Sequence, residues 1–263
     1  MSIELPLVSV LMTAYNRAQY IAASIESVLA STYTNFELII VDDYSKDKTV
    51  EIARKYEAHD HRIKVFINEK NLGDYPNRNI AASYASGKYI KYLDSDDIMY
   101  PHCLQVMVNA IEQFPSAGYG LSCLGDNHTP YPKMLSPKEA YLENFNGLSH
   151  FDRAPGSSII NRQIFNDLGG FSGERMIGDN EFWLKISRTY PLVKFQVDLY
   201  WARTHAGQES QSNYAKSYKI LRKKIFFEAI NHKDCPLTPK EKKQIIRKLR
   251  ERNLKNFLLQ LIQ

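Results

Sequence analysis

Residues Tyr89 to Pro101 read Tyr-Ile-Lys-Tyr-Leu-Asp-Ser-Asp-Asp-Ile-Met-Tyr-Pro. An apolar run meets three carboxylates, Asp94, Asp96 and Asp97, and Pro101 then permits a new helix. The run predicts a buried strand over Tyr89–Leu93 with the acids at its carboxyl end. Three acids grouped there repel one another and lose solvation unless a cation sits among them. Their oxygens suit a hard ion, Mg²⁺ or Mn²⁺, which keeps waters and shares itself with substrate phosphates. An isolated Asp-x-Asp is more often an acidic turn capping the next helix. The surrounding sequence decides between a metal–diphosphate site and such a turn.

Upstream, strand and helix signals alternate. Val8–Thr13 is a short apolar run, and Asn16 is placed as an N-cap for a helix carrying Ile21, Ile25, Val28 and Leu29. Phe36–Val41 is nearly all apolar, as a strand buried on both faces should be, and it ends at Asp42-Asp43. A helix over Thr49–Tyr56, a strand over Ile63–Ile67 and a helix over Asn77–Ala85 closed by Gly87 follow. Another helix is expected over Pro101–Phe114. Such alternation predicts a doubly wound, mainly parallel α/β sheet, in which ligands bind beyond the carboxyl ends of the strands. That rule gathers Thr13–Arg17, Asp42–Asp47 and Asp94–Asp97 into one crevice. Beyond residue 118 the alternation fades. Residues 125–158 read as a long, partly irregular insertion, followed by a helix over Asp179–Tyr190 and strands over Val193–Val197 and Tyr200–Thr204.

The chain has 263 residues, 44% hydrophobic and 24% charged, an ordinary globular balance. Three scattered cysteines, Cys103, Cys123 and Cys235, carry no metal-ligand spacing and imply no disulfide framework. A reducing, cytoplasmic compartment is the simpler expectation. The start of the chain has no basic and apolar leader, and no stretch approaches a membrane span. The net charge of +5 is concentrated at the end of the chain: residues 240–255 hold eight Lys or Arg against two Glu. The remainder is near neutrality, so a nucleic-acid-binding domain is not expected.

Taken in order, Val8–Arg17, Val41–Asp47, Asn71-Leu-Gly73, Arg78-Asn79, Leu93-Asp-Ser-Asp-Asp97, Gly169-Gly-Phe171 and Gly178-Asp-Asn-Glu-Phe-Trp183 resemble the family 2 glycosyltransferases of the GT-A fold. Each motif alone is weak, but seven in order over residues 6–210 are specific. The resemblance implies an enzyme that uses a nucleoside-diphosphate-sugar donor, UDP-sugar foremost, with Mn²⁺ or Mg²⁺, and inverts the anomeric centre. By position it places Ala14, Tyr15 and Asn16 at the base and ribose, Asp43 on the base, and Asp42 as a brace of the turn. Arg78 would stand beside the nucleotide. Asp94 would meet ribose or sugar hydroxyls, with Ser95 among the nucleotide-sugar contacts. Asp96 would ligate the metal, with Asp97 and His205 as further candidate ligands. Asp179 would be the general base for an acceptor hydroxyl. A cap of the helix that follows is compatible with that role, and the alternative for His205 is a surface residue after a strand. The family usually has Glu-Asp where this chain has Gly178-Asp179. Arg203-Thr-His205 and Gln208-x-Ser210 resemble the segment that closes over the diphosphate. The implied acceptor is a glycan or lipid-linked glycan.

The expected organisation is a GT-A domain over 1–210 and a helical, basic extension over 211–263. In the extension Ile245, Ile246, Leu249, Leu254, Phe257, Leu258, Leu261 and Ile262 fall at three- and four-residue spacing opposite a basic face. This helix could lie peripherally on the inner face of an anionic membrane, or pack on the domain or on a second subunit. Two rival functions stand beside the transferase. One is a catalytically inactive sugar-nucleotide-binding protein. The other is a sugar nucleotidyltransferase, disfavoured because Thr13–Arg17 lacks a glycine-rich phosphate loop.

Overall fold

The computed structural model describes residues 5–123, 130–205, 208 and 217–260, with side chains placed as far as Glu251. Strands β1 (Val8–Ala14), β2 (Phe36–Asp42), β3 (Ile63–Ile67) and β4 (Tyr89–Tyr92) pair in parallel. They are joined by helices α1 (Ile21–Leu29), α2 (Thr49–His59) and α3 (Asp74–Ser83). Alternate residues explain why these strands are apolar throughout. Val10 and Met12 of β1, with Leu38 and Ile40 of β2, pack on one face of the sheet. Leu11 of β1, with Ile39 and Val41 of β2, pack on the other. Helices cover both faces, as a parallel sheet requires.

The second half adds β5 (Ile98–Met99), α4 (Cys103–Ile111), β6 (Tyr119–Ser122), β7 (Lys133–Leu135), α5 (Pro137–Glu143), β8 (Ser158–Asn161), α6 (Arg162–Asp167), α7 (Gly178–Ile186), β9 (Leu192–Phe195) and β10 (Tyr200–Trp201). Among the described residues the main sheet runs β3-β2-β1-β4-β8-β6-β9-β7, and β10 and β5 form a separate antiparallel ribbon. β8 runs antiparallel to both β4 and β6.

Several expectations are corrected here. The insertion is more regular than its composition implies: it holds β7, α5 and the start of β8, with residues 124–129 outside the description. α3 starts at Asp74, ahead of Pro76, because a proline in the first helical turn removes an N–H that has no partner there anyway. The helix expected to Tyr190 ends at Ile186, and the one expected over Pro101–Phe114 shrinks to Cys103–Ile111. Asn16 is not an N-cap. It sits at φ +52°, five residues before α1 begins, and its Oδ1 accepts the Lys46 amide at 2.8 Å. Asparagine tolerates that left-handed backbone better than most residues.

Helices α8 (Tyr218–Asn231) and α9 (Pro239–Gln260) close the chain. Ile225, Phe226, Ile230, Leu237 and Ile245 join the same hydrophobic cluster as Leu11 and Ile90 of the sheet, so the extension packs on the domain's own core. Thr238 and Glu241 cap each other at the start of α9, and Lys138 pairs with Glu241 at 2.9 Å. The basic face, with Lys243, Arg247 and Arg250, is exposed. The side chains of Leu254, Phe257, Leu258, Leu261 and Ile262 lie outside the described residues. Among the described residues no helix is long and apolar enough to cross a membrane.

Candidate active site

The pairing of β1 with β2 and β4 brings three polar segments to one edge. Ala14 lies opposite Asp42, and Leu93 N donates to Leu11 O at 3.0 Å. Side chains then sew the loops together. Asn16 N donates to Ser45 Oγ at 2.8 Å, Arg17 N to Thr49 Oγ1 at 2.7 Å, and Ala18 N to Asp47 Oδ2 at 3.0 Å. Tyr15 and Tyr44 stand 45% and 43% exposed at this edge, and Lys46 Nζ lies 3.1 Å over the Tyr44 ring.

Asp42 and Asp43 are both buried and both turned inward. Asp42 accepts from Ser45 N at 2.7 Å and from Ser45 Oγ, and burial raises its carboxyl above the usual carboxylate range. Asp43 accepts from Asn68 Nδ2 at 2.8 Å and from Leu72 N and Gly73 N at 2.9 Å each. It therefore shapes the 71–73 loop, and a contact from Asp43 to a base would use the lone pairs that remain.

The acid turn after β4 divides its residues. Ser95 is buried. Asp96 Oδ2 accepts Arg17 Nε at 2.8 Å and lies 3.0 Å from His205 Nε2. Asp97 turns away, with its Oδ1 accepting the Arg203 amide at 3.0 Å. Burial, with Asp94 beside it, pushes the Asp97 carboxyl up to about 7. Among the described residues no three His, Cys, Asp or Glu side chains converge as a ligand set. The structure pairs Asp96 with His205 and leaves Asp97 apart from them. Two such ligands fit a hard cation that completes its shell with water and diphosphate oxygens. Arg17, absent from the sequence-derived site, now supplies the positive charge on Asp96. His205 itself packs on Tyr20 with ring centroids 4.6 Å apart, and Gln208 ties the segment to the Arg203 carbonyl. Ser210 lies outside the described residues.

Arg78 links the two ends of the cleft. Its Nε pairs with Asp74 at 2.8 Å and its Nη2 with Asp94 at 2.7 Å, while its Nη1 is buried without a hydrogen-bond acceptor. Its charge also acts on Asp179, in the first turn of α7. Burial pushes the Asp179 carboxyl up to about 7, against the hydrogen bonds from Asn180 N at 2.7 Å and from Tyr75. Asp179 is inside the helix and not its cap, which is Ile177. Gly178 has a steric cause: a Cβ there would meet the Tyr75 ring at 2.9 Å. The adjoining loop is held by Asn79, whose Oδ1 accepts Phe171 N at 3.0 Å and whose Nδ2 donates to Phe171 O at 2.8 Å. Gly170, at φ +65°, has no room for a side chain against that amide. Tyr75 and Arg17 were legible only as polar residues near motifs. Their partners, Asp179 for Tyr75 and Asp96 for Arg17, are 104 and 79 positions away, beyond any spacing rule.

The arrangement is an edge of exposed tyrosines, an acid turn holding a basic side chain, and a separate carboxyl near neutrality joined to it by an arginine. The family described as Glycosyl transferase family 2 matches residues 9–169. The Putative glycosyltransferase EpsE of Bacillus subtilis (strain 168) is 42% identical over 243 residues, covering 89% of this chain and 85% of that protein. S. aureus TarS 1–349 in complex with UDP-GlcNAc superposes with a TM-score of 0.71 at 22% identity, over 90% of this chain and 70% of that one. The mannosyltransferase PcManGT from Pyrobaculum calidifontis, in complex with GDP-Man and Mn²⁺, gives 0.68 at 17% identity, over 93% and 69%. These two solved structures share the fold. The family match and the EpsE relative place the chain among the family 2 glycosyltransferases.

Proposed function

We propose that this enzyme moves a sugar from a nucleoside-diphosphate donor, a UDP-sugar foremost, to a hydroxyl of a glycan or lipid-linked glycan, by a single displacement that inverts the anomeric centre. The observation that carries this reading is Asp179: a carboxyl raised to about 7, in the same cleft as the acid turn and separate from it. A base with that affinity for protons is matched to neutral pH. In the proposed chemistry Asp179 takes the proton from the acceptor hydroxyl as its oxygen attacks. Tyr75 and Arg78 hold the carboxylate in place. Ala14, Tyr15, Asn16 and Asp43 receive the nucleotide, and Asp94 and Ser95 face its ribose or sugar. The TarS and PcManGT complexes, with UDP-GlcNAc and with GDP-Man, support a nucleotide-sugar donor.

Asp96 and His205 would hold the divalent cation, Mn²⁺ or Mg²⁺, with Asp97 behind them. When bound, the cation neutralises the departing diphosphate. The Mn²⁺ of the PcManGT complex supports this part of the reading.

Asp179→Asn tests the mechanism. It keeps the shape and removes the basicity. Donor affinity by calorimetry should survive, while turnover falls by a factor on the order of 10²–10⁴. NMR of the product should show inversion. Near-normal turnover, or a retained anomeric configuration, would overturn the assignment.

A further inference from the structure

A cavity of about 400 Å³ opens beside the cleft, and its lining includes Tyr100, Arg153, Ser157, Asp198, Tyr200 and Trp201. Its position follows from three ties. First, the β5–β10 ribbon runs from the acid turn to the Arg203–His205 segment: Trp201 pairs with Ile98, and Tyr100 N donates to Leu199 O at 3.1 Å. Arg203 grips the acid turn through Asp97 Oδ1 and Asp96 O, and its guanidinium lies 4.7 Å over the Trp201 ring. Trp201 is thereby fixed relative to the acids.

The second tie is to α7. Asp152 accepts Asn180 Nδ2 at 3.1 Å, one residue past Asp179, and the Arg153 carbonyl accepts Trp183 Nε1 at 2.7 Å. The third is underneath. Lys91, fully buried, donates its Nζ to the Tyr92 carbonyl at 2.6 Å and to that of Gly156, 5.2 Å from the Tyr200 ring. Gly156 lets that ring close down, since a Cβ would stand 3.1 Å from it. The cavity wall is therefore tied to the acid turn through Trp201 and Arg203, and to the helix that bears Asp179 through Asp152 and Arg153.

Its lining has the chemistry of a sugar site. Trp201 and Tyr100 are 46% and 37% exposed, and both rings line the cavity. An aromatic face takes the apolar C–H face of a pyranose, and polar groups at the rim take its hydroxyls. Arg153 supplies a buried Nε without a hydrogen-bond acceptor, and Asp198 an exposed carboxylate. Asp152 is already neutralised by Arg222. Arg153 and Asp198 then balance each other, which fits an uncharged sugar.

We propose that this cavity is the acceptor subsite and holds an uncharged sugar ring, stacked on Trp201 and Tyr100 with its hydroxyls on Arg153 and Asp198. This rests on the transferase reading above. The chain has two tryptophans, and Trp183 is fully buried, so iodide-accessible fluorescence reports Trp201. The probes are methyl glycosides of glucose, galactose and N-acetylglucosamine, titrated with UDP present. At least one should shield Trp201 from iodide. Transfer to that glycoside should show an acceptor KM raised on the order of tenfold in Trp201→Ala, with most of the loss restored in Trp201→Phe. Donor affinity by calorimetry should not change, which also shows that the variant is folded. Failure of every glycoside to shield Trp201, or an unchanged acceptor KM in Trp201→Ala, overturns the subsite. Absence of donor binding and turnover in the wild type would instead remove the transferase reading, while shielding of Trp201 would still report the sugar site.

Discussion

Asp179 acts, as proposed, only as a carboxylate, and its folded-state proton affinity is raised by burial to about 7. kcat/KM should therefore fall as pH drops below about 7. Tyr75→Phe removes a hydrogen bond that favours the charged form, so the acid limb should move to higher pH. An unmoved limb would exclude Asp179 as the titrating base. The same shift has a stability consequence. Between about 4 and 7 the native state binds more protons than the unfolded chain, so stability is lost as pH rises through that window. Asp179→Asn should raise Tm by about 3–6 °C at pH 8, and the gain should vanish below pH 4. Arg17 offers a second measurement at this scale. Its pair with Asp96 is partly exposed, 24% and 12%, and is worth about 1 kcal/mol. If Asp96 is a metal ligand, Arg17→Ala should tighten Mn²⁺ about three- to tenfold, as read by electron paramagnetic resonance. Unchanged Mn²⁺ affinity would take Asp96 out of the metal site.

At the scale of elements, the first turn of α7 is set by what it touches. In an exposed helix Gly→Ala is favourable by about 1 kcal/mol. At Gly178 the added Cβ meets Tyr75 at 2.9 Å, so Gly178→Ala should instead destabilise by about 1–3 kcal/mol and lower turnover by displacing Asp179. A Tm equal to or above wild type would show that Tyr75 moves freely. The 71–73 loop has a similar dependence on Asp43, whose carboxylate takes three hydrogen bonds from it and from Asn68. Asp43→Ala should lower Tm and weaken nucleoside-diphosphate binding by about 1.5–3 kcal/mol. A lower Tm with unchanged nucleotide affinity would leave Asp43 as a brace of the loop alone.

For the whole molecule, α8 and α9 belong to the core that also holds Leu11 and Ile90, through Ile225, Phe226, Ile230 and Ile245. Truncation after residue 217 should expose that surface and give aggregation in light scattering. A monodisperse, nucleotide-binding truncation would show that the sheet is covered without them. The basic face of α9 is still available to an anionic surface, which pelleting with anionic liposomes would register. From the sequence alone, the strands from Val8 to Leu93, the helices between them and the edge that collects Ala14, Asp42 and Asp96 were readable. Strands buried on both faces must be apolar runs, helices that cover them must repeat their apolar residues, and both signals are local. The antiparallel strands β6 and β8 were not readable, because four residues carry no period and their partners lie about forty positions apart. For the same reason tertiary structure alone set Arg17 and His205 on Asp96, turned Asp97 toward Arg203, closed Tyr75 on Gly178 and paired Trp201 with Ile98. Each is a contact between segments distant in the chain, and only the packed sheet brings such segments within a few ångströms.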